Sequence, residues 1–203
     1  MKKNNKRIVM MASIILVFAV AISGTIAWLF TQTNEVVNTF KPTSVPNSIN
    51  ETFNGNTKTN VSISNTGNID AYIRAEVVVT WQDADGNVLP DKPVPGTNYS
   101  IEINKAADVF GGKWVEYDGY YYYTRVVPAD DDASTTDRVE DQTAILITSC
   151  SPTTKAPVDG YTLHVEILSQ SIQADGVNST TNKTPVQEAW GVTISGGTVT
   201  AVS

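Results

Sequence analysis

The 203-residue chain carries 14 Lys+Arg against 21 Asp+Glu, a formal charge of -7, which argues against a basic nucleic-acid-binding surface. Hydrophobic residues make up 41% and charged residues 17%, enough apolar material for a core and too little charge for a disordered acidic tail. One cysteine, Cys150, and one histidine, His164, exclude an intramolecular disulfide framework, cysteine zinc clusters and paired-histidine metalloprotease helices.

Residues 1–27 divide into three parts. Lys2, Lys3, Lys6 and Arg7 form a basic start, Ile8 to Ile22 an apolar run, and Ser23-Gly24-Thr25-Ile26-Ala27 a stretch of small residues. This is the grammar of a secretory signal. The apolar run reaches roughly 22 Å as a helix, short of the ~30 Å hydrocarbon core; extension through Trp28-Leu29-Phe30 makes a membrane anchor the alternative. Cleavage is expected after Ala27, with Thr25 and Ala27 as the small residues before the bond and Trp28 as the first mature residue. Loss of the four leader cations leaves 10 basic and 21 acidic residues, a mature charge of -11. The expectation is a secreted, acidic protein that repels nucleic acid and phospholipid alike and meets a membrane only through its uncleaved leader.

Beyond the leader the apolar residues alternate with period two, and Gly, Pro, Asn and Asp clusters recur about every 10 residues, the pattern of an antiparallel sandwich or barrel. Thr59 to Asn65 sets Val61 and Ile63 against Ser62 and Ser64. Ile69 to Trp81 is the longest run, with Ala71, Ile73, Ala75, Val77 and Val79 on one face, as suits a central strand. Asp83-Ala84-Asp85-Gly86-Asn87 reads as a hairpin turn. A calcium loop is its alternative, but an EF-hand needs Gly and Glu where Val88 and Val94 stand. Leu89 to Gly96 holds three prolines and is a loop; it lacks the Leu-Pro-x-Thr-Gly signal of sortase substrates.

Tyr99 to Ile103 alternates. Trp114 to Tyr117 and Tyr120 to Val127 form a predicted hairpin around Asp118-Gly119. The run Tyr120-Tyr121-Tyr122-Tyr123 splits two to each face, either as a core face and a rim face or with its outer pair as a sugar-stacking or subunit-docking surface. Asp130-Asp131-Asp132 is a solvated loop or a weak cation site. Gln142 to Ser149 is a strand with Ala144 and Leu146 opposite Ile145 and Ile147, and Cys150 follows at its end as a small structural residue or a reactive thiol. In Tyr161 to Ile172, Leu163, Val165 and Ile167 oppose His164 and Glu166. Thr184-Pro185-Val186-Gln187 fits a capping box with Pro at the first helical position, so a short helix runs from Thr184 to Trp190 and stops at Gly191. Val192 to Val202 is a final strand or tail.

No nucleophile has a base and third partner suggested by spacing, and the glycine pairs lack a phosphate-loop context. The reading is therefore a non-enzymatic protein with no catalytic residues, no cofactor and no metal site.

The junction Gly24-Thr25-Ile26-Ala27-Trp28-Leu29, the segment Asn34-Glu35-Val36-Val37-Asn38-Thr39-Phe40, Asn65-Thr66-Gly67-Asn68 with Trp81, the tyrosine run, and Ser171-Ile172-Gln173-Ala174-Asp175 before Ala189-Trp190-Gly191 resemble the TasA/camelysin family of Gram-positive bacteria. The resemblance implies processing by a SipW-type signal peptidase and a jelly-roll-like β-sandwich held in the extracellular matrix. It further implies self-association into biofilm fibres, with a matrix or assembly protein as a further partner. The N-terminal strand of one subunit would then complete the sheet of the next. The donor would lie within residues 28–40, with Leu29, Val36, Val37 and Phe40 as its apolar residues, ahead of a sandwich spanning 41–203. A monomeric adhesin or carbohydrate-binding module is the alternative function, and a camelysin-like metalloprotease a third.

Overall fold

The computed structural model describes residues 42–129 and 140–202. The expected signal peptide, its cleavage residues Thr25, Ala27 and Trp28, the donor residues Leu29, Val36, Val37 and Phe40, and Asp130 to Asp132 lie outside the described residues.

Among the described residues, ten strands and one short helix follow in order: β1 Asn47–Phe53, β2 Lys58–Asn65, β3 Ala71–Gln82, β4 Tyr99–Ile103, β5 Trp114–Tyr117, β6 Tyr120–Tyr123, β7 Ile147–Pro152, β8 Thr162–Gln173, α1 Pro185–Trp190, β9 Val192–Ser195 and β10 Thr198–Ala201. The first eight form two four-stranded antiparallel sheets, β1-β2-β7-β4 and β5-β6-β3-β8. The chain is all-β, as the alternation predicts. Period-two side chains leave each strand one apolar face, and the two sheets bury those faces against each other. Val61, Ile63 and Ile147 from the first sheet meet Ile73, Ala75, Trp114, Tyr123 and Ile167 from the second.

The longest predicted strand is realised as β3, which pairs with β8 along all twelve of its residues without a register shift. Asp118 and Gly119 take positive φ of 49° and 80° and make the expected hairpin between β5 and β6. The helix has its capping box: Gln187 N–H donates to Thr184 Oγ1, Gln187 Oε1 accepts from Thr184 N–H, and Gly191 ends the helix in the left-handed conformation.

Four readings change. β1 has no counterpart in the periodicity, because most of its residues are exposed and polar. The strand expected over Gln142 to Ser149 begins only at Ile147 and runs to Pro152, which places Cys150 inside it. Leu146 and Ile147 are both fully buried, so the chain turns inward there rather than alternating. The strand expected from Tyr120 to Val127 ends at Tyr123 and leaves Val127 as an isolated bridge to Ala71. The C-terminal segment is a hairpin, β9 and β10, turning at Gly196-Gly197 with φ of 56° and 74°. A Gly-Gly pair between alternating runs is a hairpin signal.

That hairpin and α1 cover the outer face of the second sheet, where Val186, Val192 and Val199 pack with Tyr122 and Ile172 in a second core. The Arg74 guanidinium is held there, 4.1 Å from the Tyr120 ring and 4.8 Å from the Trp190 ring, and donates to the Tyr122 hydroxyl. A cation over aromatic faces is attractive in a partly desolvated site.

Asn65 joins the two sheets. Its buried amide nitrogen donates to the carbonyls of Ile69, Val127 and Pro128, and its oxygen accepts from Gly67 N–H. Replacing Asn65 by Ala strands these groups and is expected to cost about 2–3 kcal/mol, read as a lower urea midpoint with unchanged m-value; Asn65→Gln is expected to recover only part of it.

Candidate functional site

β8 lies at the margin of its sheet. On the side away from β3, among the described residues only its last residues are paired: Ser44 bridges Ile172, Val45 N–H donates to Ser171 O, and Gln173 N–H donates to Thr43 O. Asn47 continues the contact through its side chain, on Ser171 and Ser169. β1 then swings away to pair with β2, through a register irregularity between Asn50 and Thr52. Asn60, opposite it on β2, has φ 55°, as expected where a bulge adds a residue and bends the strand. The two strands diverge because β1 leaves one sheet for the other.

The divergence opens a groove of about 610 Å³. Leu163, Val165 and Trp81 line one wall, and Phe53, Lys58 and Cys150 line the other. Leu163 and Val165 point toward the core but remain half-exposed, whereas Ile167 on the same face is buried. From Thr162 to Gln170, β8 pairs with β3 alone among the described residues. A flat, unbulged strand with free N–H and C=O groups beside apolar space is a template for another strand. A second unpaired stretch, Glu76 to Thr80 of β3, is flanked by Val88 to Pro93, where Pro90 and Pro93 cannot donate to a ladder.

The predicted interaction tyrosines divide differently from expectation. Tyr123 is fully buried in the main core and Tyr122 is buried beneath the C-terminal hairpin; Tyr120 and Tyr121 are half-buried. Trp114 is buried too, with its indole N–H donating to Ala144 O. These side chains serve both cores and offer no continuous stacking face. His164 is exposed, opposite Thr80.

Burial holds the Cys150 thiol neutral, its pKa pushed up to about 11, with Lys58 pulling weakly the other way. Tyr123 is pushed up to about 12, first by burial and then by its hydrogen bond to Asp108. A thiol is nucleophilic only as thiolate, and burial keeps Cys150 in the neutral thiol form at neutral pH. Among the described residues no group of three His, Cys, Asp or Glu is placed to hold a metal ion. The groove was beyond sequence reasoning, since it arises where β1 leaves β8 rather than from any motif.

Comparison with protein-family models, with curated proteins and with solved structures finds no match.

Both raised acids are protonated in the folded state, so their contribution is complete below the ordinary thiol value of 9.0 and is lost as pH rises through about 11 and 12. Urea melts from pH 8 to 12 are expected to show the midpoint falling from about pH 9, and Cys150→Ala is expected to flatten the first part of that decline.

Proposed function

We propose that this chain is an exported, non-enzymatic matrix protein that assembles into fibres by strand exchange. Residues 28–40 of one copy would pair along the open edge of β8 in the next, after a SipW-type signal peptidase has cut before Trp28. The observation that carries this reading is the stretch Thr162 to Gln170, which has no strand partner away from β3 among the described residues, with a groove of mixed polar and apolar lining beside its Thr162 to Val165 part. A donor of thirteen residues extends roughly 43 Å at 3.3 Å per residue, ample to cover it.

The strand order supports the jelly-roll form of this reading. The triplets β2-β7-β4 and β8-β3-β6 are those of a double Greek key, in which β1 would lie beside β8. Here only residues 43–45 do so, and the remainder of that position is the groove. A strand entering it would complete the sheet.

Chain direction supports assembly between copies. Residues 43–45 run antiparallel to β8 at its Gln173 end, so straight continuation toward lower numbers leads off that end. The groove lies toward Thr162. Residues 43–45, which follow the proposed donor in sequence, and the groove thus lie toward opposite ends of β8, and strand exchange between such ends would be a head-to-tail contact that propagates rather than closes.

The mature chain from Trp28 is expected to form fibres in sedimentation and negative-stain imaging, and a chain starting at Lys41 to remain small. Val165→Pro, which removes an edge N–H at the groove, is expected to cut assembly at least ten-fold while the far-ultraviolet circular dichroism stays unchanged. Persistent monomer from Trp28 in every buffer, calcium included, would overturn the reading and bring the monomeric adhesin forward.

A further inference from the structure

The loop joining β4 to β5 carries the most exposed large apolar side chain described. Val109 is 90% exposed and Phe110 42%, with Ala106 and Ala107 exposed beside them. An isolated exposed valine means little, but this loop is rigidly built. Asp108 accepts from the N–H groups of Phe110 and Gly112 at 2.9 and 2.8 Å and from the Tyr123 hydroxyl. Asp108 N–H donates to Gly112 O, and Gly111 N–H to Asp108 O. Gly112 must be glycine, since a Cβ there would stand 2.3 Å from the Tyr123 hydroxyl oxygen. The Arg125 guanidinium lies 4.8 Å from the Phe110 ring.

A buried tyrosine and a carboxylate are thus committed to holding two apolar side chains in water. Preorganised apolar groups of this kind mark a contact surface. Their rim is basic: Lys105 and Lys113 flank the loop and Arg125 backs it. The loop's own acid, Asp108, is occupied by the bonds above.

The position of this knob selects its partner. Ile103 pairs with Ile147, Asn104 N–H donates to Leu146 O, and Asn65 ties this end of the first sheet to Val127 and Pro128. Val127 bridges Ala71, which pairs with Gln173. The knob therefore shares the end of the sandwich at which residues 43–45 meet β8. The groove lies at the other end, where Phe53, Lys58 and Pro152 face Trp81 and Thr162. There Phe53 is 62% and Val158 44% exposed; Asp159 and Lys155 line the groove together with the Glu51–Lys58 ion pair, and Asp83 and Asp85 follow the end of β3.

We infer that the Val109-Phe110 knob is a second assembly contact, seating against Phe53 and Val158 at the groove mouth of a second copy of this chain. The inference rests on the head-to-tail reading above: the knob lies at the end of the sandwich where residues 43–45, which follow the proposed donor in sequence, meet β8, and the groove lies at the other end. An anionic lipid surface is the other partner with suitable chemistry, but the acidic body of the chain disfavours it.

The test uses the mature chain from Trp28 in three forms: unchanged, Val109→Asp, and Lys105→Glu with Lys113→Glu. Val109 and Lys105 are exposed on a loop fixed from within, and Lys113 is half-buried with the end of its side chain beside Gly197; thermal melts establish that each variant folds. The expected result is a critical concentration for assembly raised at least ten-fold in both variants. Fibres of the otherwise unchanged chain should cross-link between cysteines placed at Val109 and Val158, and residual fibres carrying Lys105→Glu with Lys113→Glu should lose that cross-link. Unaltered assembly of both variants overturns the knob contact and leaves strand exchange standing. Failure of the unchanged chain to assemble overturns strand exchange and the knob with it. Binding to vesicles of phosphatidylcholine with 30% phosphatidylglycerol, lost in Val109→Asp while assembly is unchanged, overturns the second copy in favour of lipid.

Discussion

The unbroken pairing of β3 with β8 is the interaction on which the rest of this protein depends. Twelve consecutive residue pairs satisfy the backbone of both strands along one side and fix which side chains point inward. Ile73 and Ala75 from one strand and Ile167 from the other are thereby set against Val61, Ile63 and Ile147 of the opposite sheet, and Ala71 and Trp81 are buried on the same strand. A slip of one residue would turn each of these outward. β6 can then add beside Arg74 and Ala75 and carry β5 with it.

A strand pair has two outer edges, and the protein treats them differently. β3 is partly covered by β6, whereas among the described residues β8 meets only residues 43–45 as backbone partners on its other edge. Backbone groups in a sheet require partners, and water supplies them at an exposed edge at the cost of leaving a template for pairing. The groove follows from the departure of β1 to the other sheet. Its half-exposed Leu163 and Val165 are the residues that a neighbouring strand at this position would cover, which is why the proposed donor and this edge suit one another.

Rigidity is distributed according to use. The tyrosine run supplies it twice, Tyr122 beneath the C-terminal hairpin with Arg74 and Trp190, and Tyr123 beneath the β4–β5 loop with Asp108. The two faces of a strand thus lock two different surface elements. A chain without disulfides relies on such buried polar anchors for uniqueness, since each leaves a costly unpaired group in any alternative packing. Asn65 acts in the same way between the sheets.

The sequence by itself determined what depends on neighbours along the chain. Period-two alternation gave β3, β4 and β8, Asp118-Gly119 gave a turn because both residues adopt positive φ, and Thr184 to Gln187 gave a capped helix. The burial of Val61, Ile63 and Ile73, and the exposure of His164 and Glu166, follow from the same alternation. Tertiary structure decided the rest. β1 is polar and exposed, so no periodicity marks it, and its place is set by its pairing with β2 from Asn47 onward. Leu146 and Ile147 are both buried because the chain turns into the core at that point. The tyrosines lost their outer face to a hairpin about 70 residues later in sequence. The groove and the knob exist only because distant segments were brought to opposite ends of one sandwich, a relation that local patterning cannot encode.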